Sequence, residues 1–117
     1  MMEPTAGELV AALNQAVQDT PSLKTRFNAS VEFQFDYVKE RVNISKKPNE
    51  PASPDLIVTT SLEVFHQLLN KKLTPQQAFM QGKLKIKGKM ALAMKLNLVL
   101  DATRKVLQKQ ENLRSKL

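Results

Sequence analysis

The sequence has no cysteine and no tryptophan, and it carries one histidine, three glycines and six aromatic residues (five Phe and one Tyr) among 117 positions. Each shortage closes off some chemistry. Without thiols there is neither a disulfide framework nor a thiolate metal site, so stability has to come from packing, and a reducing compartment is permitted. His66 follows Phe65 on an expected amphipathic helix, has no companion ligands, and reads as a surface or boundary residue. With no Cys and no acids paired in a recognisable motif, nucleophilic and acid–base constellations are hard to assemble, and neither an enzyme nor a cofactor is expected. Gly7, Gly82 and Gly88 fit neither a Walker loop nor a dinucleotide fingerprint. The apolar run Met90 to Met94 falls far short of the roughly 20 residues of a membrane span, and no other run is longer. The start, MMEPTAGELV, bears acids where a signal peptide bears bases, so neither secretion nor membrane spanning is expected.

What is present suits one compact domain over residues 1–117, with 42% apolar residues to build a core. The net charge of +7 is unevenly placed. Residues 1–82 hold 8 bases and 9 acids, whereas residues 83–117 hold 10 bases against Asp101 and Glu111. Such an excess suits a nucleic acid, an anionic membrane surface or a phosphate-bearing ligand, and equally a plain solvated lysine face.

Thr5 and Glu8 form a capping-box pattern, and Leu9, Leu13 and Val17 recur at helical spacing up to Pro21, which predicts a helix over 5–19. Val31, Phe33, Phe35 and Tyr37 alternate with polar residues as a strand with one wet face. Val42 and Ile44 continue the alternation, and with no Gly or Asn between Tyr37 and Val42 a hairpin and one long bulged strand both fit. Residues 46–55, with three prolines, read as a surface loop. A strand over 55–61 then runs into a helix capped by Thr60 and Glu63 and ending at Lys71 and Lys72. Thr74, Pro75 and Gln77 start a short helix over 75–81, which Gly82 stops. Leu84 and Ile86 alternate with Lys83, Lys85 and Lys87 in a last strand ended by Gly88.

From Lys89 a helix is predicted that is apolar nearly all round as far as Leu100, and such a helix has to be covered on nearly all sides. Residues 101–117 read as a polar helical tail, either capping the domain or lying in solvent. The lysine row interleaves with Leu84 and Ile86 rather than with aromatics that stack on bases, so nucleic acid is a poor fit. Lysines on an edge strand also deter edge-to-edge aggregation.

The stretch QQAFMQGKLKIKGKMALAMKL, residues 76–96, resembles the signature of the sterol carrier protein 2 family, in which a short helix with an AF pair leads to GKLKI, a glycine and an LAMKL helix. Upstream, DLIVTTSLEVFHQLLNKKLTPQQAF is similar to the family's succession of strand, helix and short helix. The resemblance implies an α+β fold, a mostly antiparallel sheet covered by about five helices that enclose a hydrophobic tunnel for fatty acids, fatty acyl-CoA or sterols. Only 17 residues separate Tyr37 from Asp55, fewer than the family usually spends there, which leaves four or five strands open.

On that reading the candidate lipid-lining residues are Phe33, Phe35, Phe65, Phe79, Met80, Ile86, Met90, Met94 and Leu98. Each is also a natural core residue of a small domain. Lys83, Lys85, Lys87 and Lys89 are the candidate contacts to an anionic membrane or a CoA phosphate. About ten buried methylenes contribute on the order of 8 kcal/mol gross, against about 1 kcal/mol for one lysine near an anionic surface, so a tunnel rather than charge would carry affinity. Ser115, Lys116 and Leu117 match the C-terminal SKL address read by the peroxisomal import receptor, so a peroxisomal location is expected. The expectation is thus a monomeric, non-enzymatic lipid carrier. The alternative is a membrane-docking or protein-interaction module that keeps the fold without a full lipid cavity.

Overall fold

A computed structural model describes residues 5–36, 38–45 and 53–115, with side chains as far as residue 110. Helix α1, Ala6–Asp19, opens on the expected capping box: the Thr5 hydroxyl accepts from the Glu8 amide at 3.2 Å, and the Glu8 carboxylate accepts from the Thr5 amide at 3.3 Å. Its stripe Leu9, Ala12, Leu13, Ala16 and Val17 is buried. A second helix, α2 (Pro21–Arg26), follows where only a connection is expected from the sequence. Pro21 ends one helix and also begins the next, because the first helical position needs no N–H.

Strands β1 (Ala29–Phe35) and β2 (Val38–Ile44) form an antiparallel hairpin in which Phe35 pairs with Val38; Tyr37, expected to continue the first strand, lies outside the described residues. Of the two arrangements the pattern allows, the hairpin is the one adopted. Asp36 supplies the left-handed conformation, at φ 53°, that Gly or Asn more often provides in a tight turn. Its carboxylate then accepts from the Leu62 amide at 3.2 Å, tying the turn to the next helix.

Strand β3 (Leu56–Thr60) pairs in parallel with β1 and antiparallel with β4 (Lys85–Gly88), so the described sheet has four strands in the order β2-β1-β3-β4. Ala29, Val31, Phe33, Phe35, Val42, Ile44, Leu56, Val58 and Ile86 share the apolar face, joined in one core with the buried helix residues. The opposite face is polar. There Arg41 lies 3.6 Å from Glu32 on the neighbouring strand, and the Thr59 hydroxyl donates to the Gln34 side-chain carbonyl at 3.1 Å.

Helix α3, Leu62–Leu69, is capped by Ser61 rather than Thr60: the Ser61 hydroxyl accepts from the Val64 amide at 3.1 Å, while Thr60 closes β3. The helix also stops short of Lys71 and Lys72, with Asn70 at its end. Helix α4, Pro75–Met80, has the expected Thr74–Gln77 capping box, and Gly82 follows at φ 75°. Leu84 is buried just ahead of β4.

The predicted continuous helix after Lys89 is two helices, α5 (Met90–Ala93) and α6 (Leu96–Ser115). At the break the Lys95 amide donates to the Leu92 carbonyl at 2.9 Å and the Leu98 amide to the Lys95 carbonyl at 3.0 Å, tightening the turn. The Lys95 ammonium reaches the Arg26 carbonyl at the end of α2, at 3.3 Å. Residues 101–106 do not form a solvent-exposed tail: Ala102, Thr103 and Val106 are buried, and α6 packs along α1 and α3. Arg104 fixes that packing by donating to the Leu68 and Leu69 carbonyls at the end of α3 while pairing with Asp101.

Candidate functional site

The face of the sheet and the start of α6 do not close on each other completely. Between them lies a cavity of about 10 Å³ walled by Phe33 and Val58 of the sheet, Phe65 and Leu68 of α3, Pro75 of α4, Leu84, and Leu96, Val99 and Leu100 of α6. Each wall residue is apolar. Space on that scale holds about one water, and with no polar partner to hold a water, an apolar void stays dry. A lipid chain needs far more space than this. To open it, the first turns of α6 have to part from α3, α4 and the sheet. Those turns lie between two fixed points, Lys95 on the end of α2 and Arg104 on the end of α3.

The two aromatic residues of the wall cluster with Phe35. Phe65 lies 4.7 Å from Phe35 and 6.1 Å, edge on, from Phe33, and Phe33 lies 5.9 Å from Phe35. These are the separations at which ring quadrupoles attract. Phe35 is buried beside the cavity, and Ile86 and Leu98 are half-buried against the core.

The other four candidate lining residues lie outside the core. Phe79 is 42% exposed, Met80 77%, Met90 50% and Met94 84%. On α5 the buried residues are Leu92 and Ala93, which turns Met90 and Met94 outward. Helix α5 is therefore covered on one side only. Lys83, Lys85, Lys87 and Lys89 are all exposed, with the Lys89 ammonium 3.8 Å from Asp55. Ser115 ends α6, and Lys116 and Leu117 lie outside the described residues.

Sequence reasoning passes over seven of the nine wall residues: Val58, Leu68, Pro75, Leu84, Leu96, Val99 and Leu100. Their only signal is an inward position on a strand or helix, which ordinary core shares. His66 is buried on α3, and among the described residues no three of His, Asp and Glu gather into a metal site. No described helix is long and apolar enough to cross a membrane.

The segment that carries seven of the nine wall residues is one-signed in sequence. Between Glu63 and Asp101 the chain has no acid and seven lysines, at positions 71, 72, 83, 85, 87, 89 and 95.

Comparison with known proteins agrees with this arrangement. Over 49 residues the chain is 49% identical to sterol carrier protein 2 of Homo sapiens, a stretch covering 42% of this chain and 9% of that protein. Over 50 residues it is 48% identical to hydroxysteroid dehydrogenase-like protein 2 of Bos taurus, covering 43% of this chain and 12% of that one. The match thus spans a small part of the length of these relatives. The fold superposes on sterol carrier protein 2 of Yarrowia lipolytica in its apo form with a TM-score of 0.64 at 20% identity, covering 89% of this chain and 96% of that one. It superposes on the sterol carrier protein domain 2 of Helicoverpa armigera with a TM-score of 0.61 at 24% identity, covering 89% and 95%. Identities this low speak for the fold alone. Residues 3–101 match the SCP-2 sterol transfer family as a whole, and the chain belongs to that family.

Proposed function

We propose that the chain is a non-enzymatic intracellular carrier that takes a fatty acid, a fatty acyl-CoA or a sterol between the apolar face of its sheet and the start of α6. The observation that carries this reading is the wholly apolar cavity at that seam. Family membership supports it, since the fold is one that binds and transfers lipid. Each methylene buried there contributes about 0.8 kcal/mol, so a chain of about ten suffices for about micromolar affinity before the costs of opening and ordering are subtracted. The wall offers no group for bond chemistry. It selects by shape and apolarity, and a polar head would stay at the surface, where Lys83, Lys85, Lys87 and Lys89 can meet a carboxylate or a CoA phosphate.

Displacement of a fluorescent fatty acid tests the carrier directly. Saturable binding is expected at micromolar protein, with one ligand per chain. A flat titration would favour the second reading, a docking or interaction module that keeps the fold without the cavity, which the small volume of the closed site supports.

Peroxisomal residence rests on Ser115, Lys116 and Leu117. Deleting those three residues is expected to leave a fluorescent fusion in the cytosol, and unchanged import would refute the address.

A further inference from the structure

The carrier reading requires the cavity to widen, and the two tethers of α6 differ in how firmly they resist it. Resting on that reading, we infer that the start of α6 is a gate over the cavity, pivoting on Arg104 and released at Lys95, so that Lys95 governs how fast a lipid enters. The wall residues Leu96, Val99 and Leu100 all stand between those two points. Arg104 is half-buried; two of its guanidinium N–H groups donate to the Leu69 and Leu68 carbonyls of α3, and Asp101 holds the same guanidinium in place. Lys95 is exposed, and among the described residues its ammonium has one hydrogen bond, to the neutral Arg26 carbonyl at 3.3 Å. A paired, two-point contact outlasts a single contact in water, so the Lys95 end lets go first.

Two further observations place the hinge and the free end. The buried Thr103 hydroxyl donates to the Val99 carbonyl at 2.8 Å, a bond from side chain to backbone of the kind that bends helices, one position before Arg104. At the other end Met94 and Lys95 separate α5 from α6, so the first turn of α6 is free to tilt without carrying α5 with it. From Leu96 to Arg104 the helix rises about 12 Å, and a tilt about Arg104 therefore moves Leu96 furthest and Leu100 least. The wall then parts from the Lys95 end. Thr103 and Arg104 both lie past residue 101, where the family match ends, so the pivot is a feature of this chain beyond that match.

Lys95→Met tests the release point, because it keeps the apolar stem, removes the ammonium and alters an exposed side chain, which leaves the urea midpoint nearly unchanged. Lys95→Arg keeps a donor and serves as the rescue. In the ligand-free chain, hydrogen exchange at the amides of residues 98–100 should quicken about five-fold in Lys95→Met, while the end of α3, residues 66–70, keeps its protection. Lys95→Arg should restore slow exchange. Arg104→Gln should expose both segments together and lower the urea midpoint, as loss of a pivot does. In stopped flow with a fluorescent fatty acid, the rate should level off at high fatty acid, at the rate of opening, and that ceiling should rise about five-fold in Lys95→Met and return in Lys95→Arg.

Four results would overturn the inference: exchange at 98–100 unchanged in Lys95→Met, Lys95→Arg no slower than Lys95→Met, the same amides exposed to the same extent by Lys95→Met and Arg104→Gln, or a fatty-acid rate that has no ceiling or a ceiling indifferent to Lys95. The two readings fail separately. A chain that binds no fatty acid loses the carrier reading, and the exchange measured without ligand still reads the pivot and the release; a chain that binds with rates blind to Lys95 keeps the carrier and loses the gate.

Discussion

Replacing Gly88 with alanine is expected to lower unfolding stability by about 3 kcal/mol, seen as a fall in the urea midpoint with little change in slope. The backbone here has φ 117°, a region side chains rarely enter, and a Cβ built on it lies 2.4 Å from the Asp55 carbonyl oxygen and 3.2 Å from the Leu56 Cα. Both obstacles are backbone, so no rotamer change relieves them. Leu56 is the strand partner of Gly88, and relief therefore means opening the β3–β4 ladder at its end. The disturbance travels further, because Asp55 also holds the Ser30 amide of β1 at 3.1 Å through its carboxylate and the Lys89 amide at 3.3 Å through its carbonyl. Gly82→Ala separates the two causes. That residue has φ 75° but open space around it, so alanine there meets conformational strain alone, about 1–2 kcal/mol. Equal losses at the two positions would show that close approach is not what requires glycine at 88.

Elements set by local chemistry are legible in the sequence. Thr5 with Glu8 and Thr74 with Gln77 each combine a hydroxyl and a carboxyl or amide at the spacing that satisfies free helix N–H groups, and both helices start there. The strand of alternating Val31, Phe33 and Phe35 is equally local. Features decided by distant partners are not legible. Nothing between Met90 and Leu100 marks a break, since neither Gly nor Pro occurs there; what accompanies the turn at Met94 and Lys95 is a tether to Arg26, 69 positions away. The fate of residues 101–106 likewise depends on α1 and on the carbonyls of Leu68 and Leu69, which Arg104 reaches across the fold. The α2 helix escapes notice because six residues with one buried leucine show no period, and the parallel pairing of β1 with β3 leaves no mark on either strand.

The candidate site divides along the same line. Phe33 and Phe65 are wall residues that large side chains at inward positions make visible, whereas Val99 and Leu100 become wall only through the break that starts a new helix at Leu96. Met90 and Met94 show the opposite case. Their apolarity suggests burial, yet a four-residue helix has one side to bury, and Leu92 and Ala93 occupy it.

Phe65→Ala is expected to have the largest effect, about 3–5 kcal/mol, a large share of the 5–15 kcal/mol typical of a whole domain. The ring is buried, touches Phe33 and Phe35, and closes the cavity from the α3 side. Truncation removes its transfer energy, both ring contacts and part of the wall, and the neighbours, fixed on a sheet, can refill little of the space. The same change tests the carrier. With the ring gone the cavity widens at the seam an acyl chain has to enter, so a saturating fatty acid should restore more stability to the variant than it adds to the unaltered protein. Urea unfolding of both proteins, with and without the fatty acid, reads the two effects together. A loss below about 1 kcal/mol would show the aromatic stack to be incidental to the fold. A full loss with no recovery would show that the space behind Phe65 is core and not the entrance to a lipid site. Recovery in the variant would mean that the ring holding the fold closed is also what a ligand has to displace, and that affinity and stability in this domain oppose each other at one side chain.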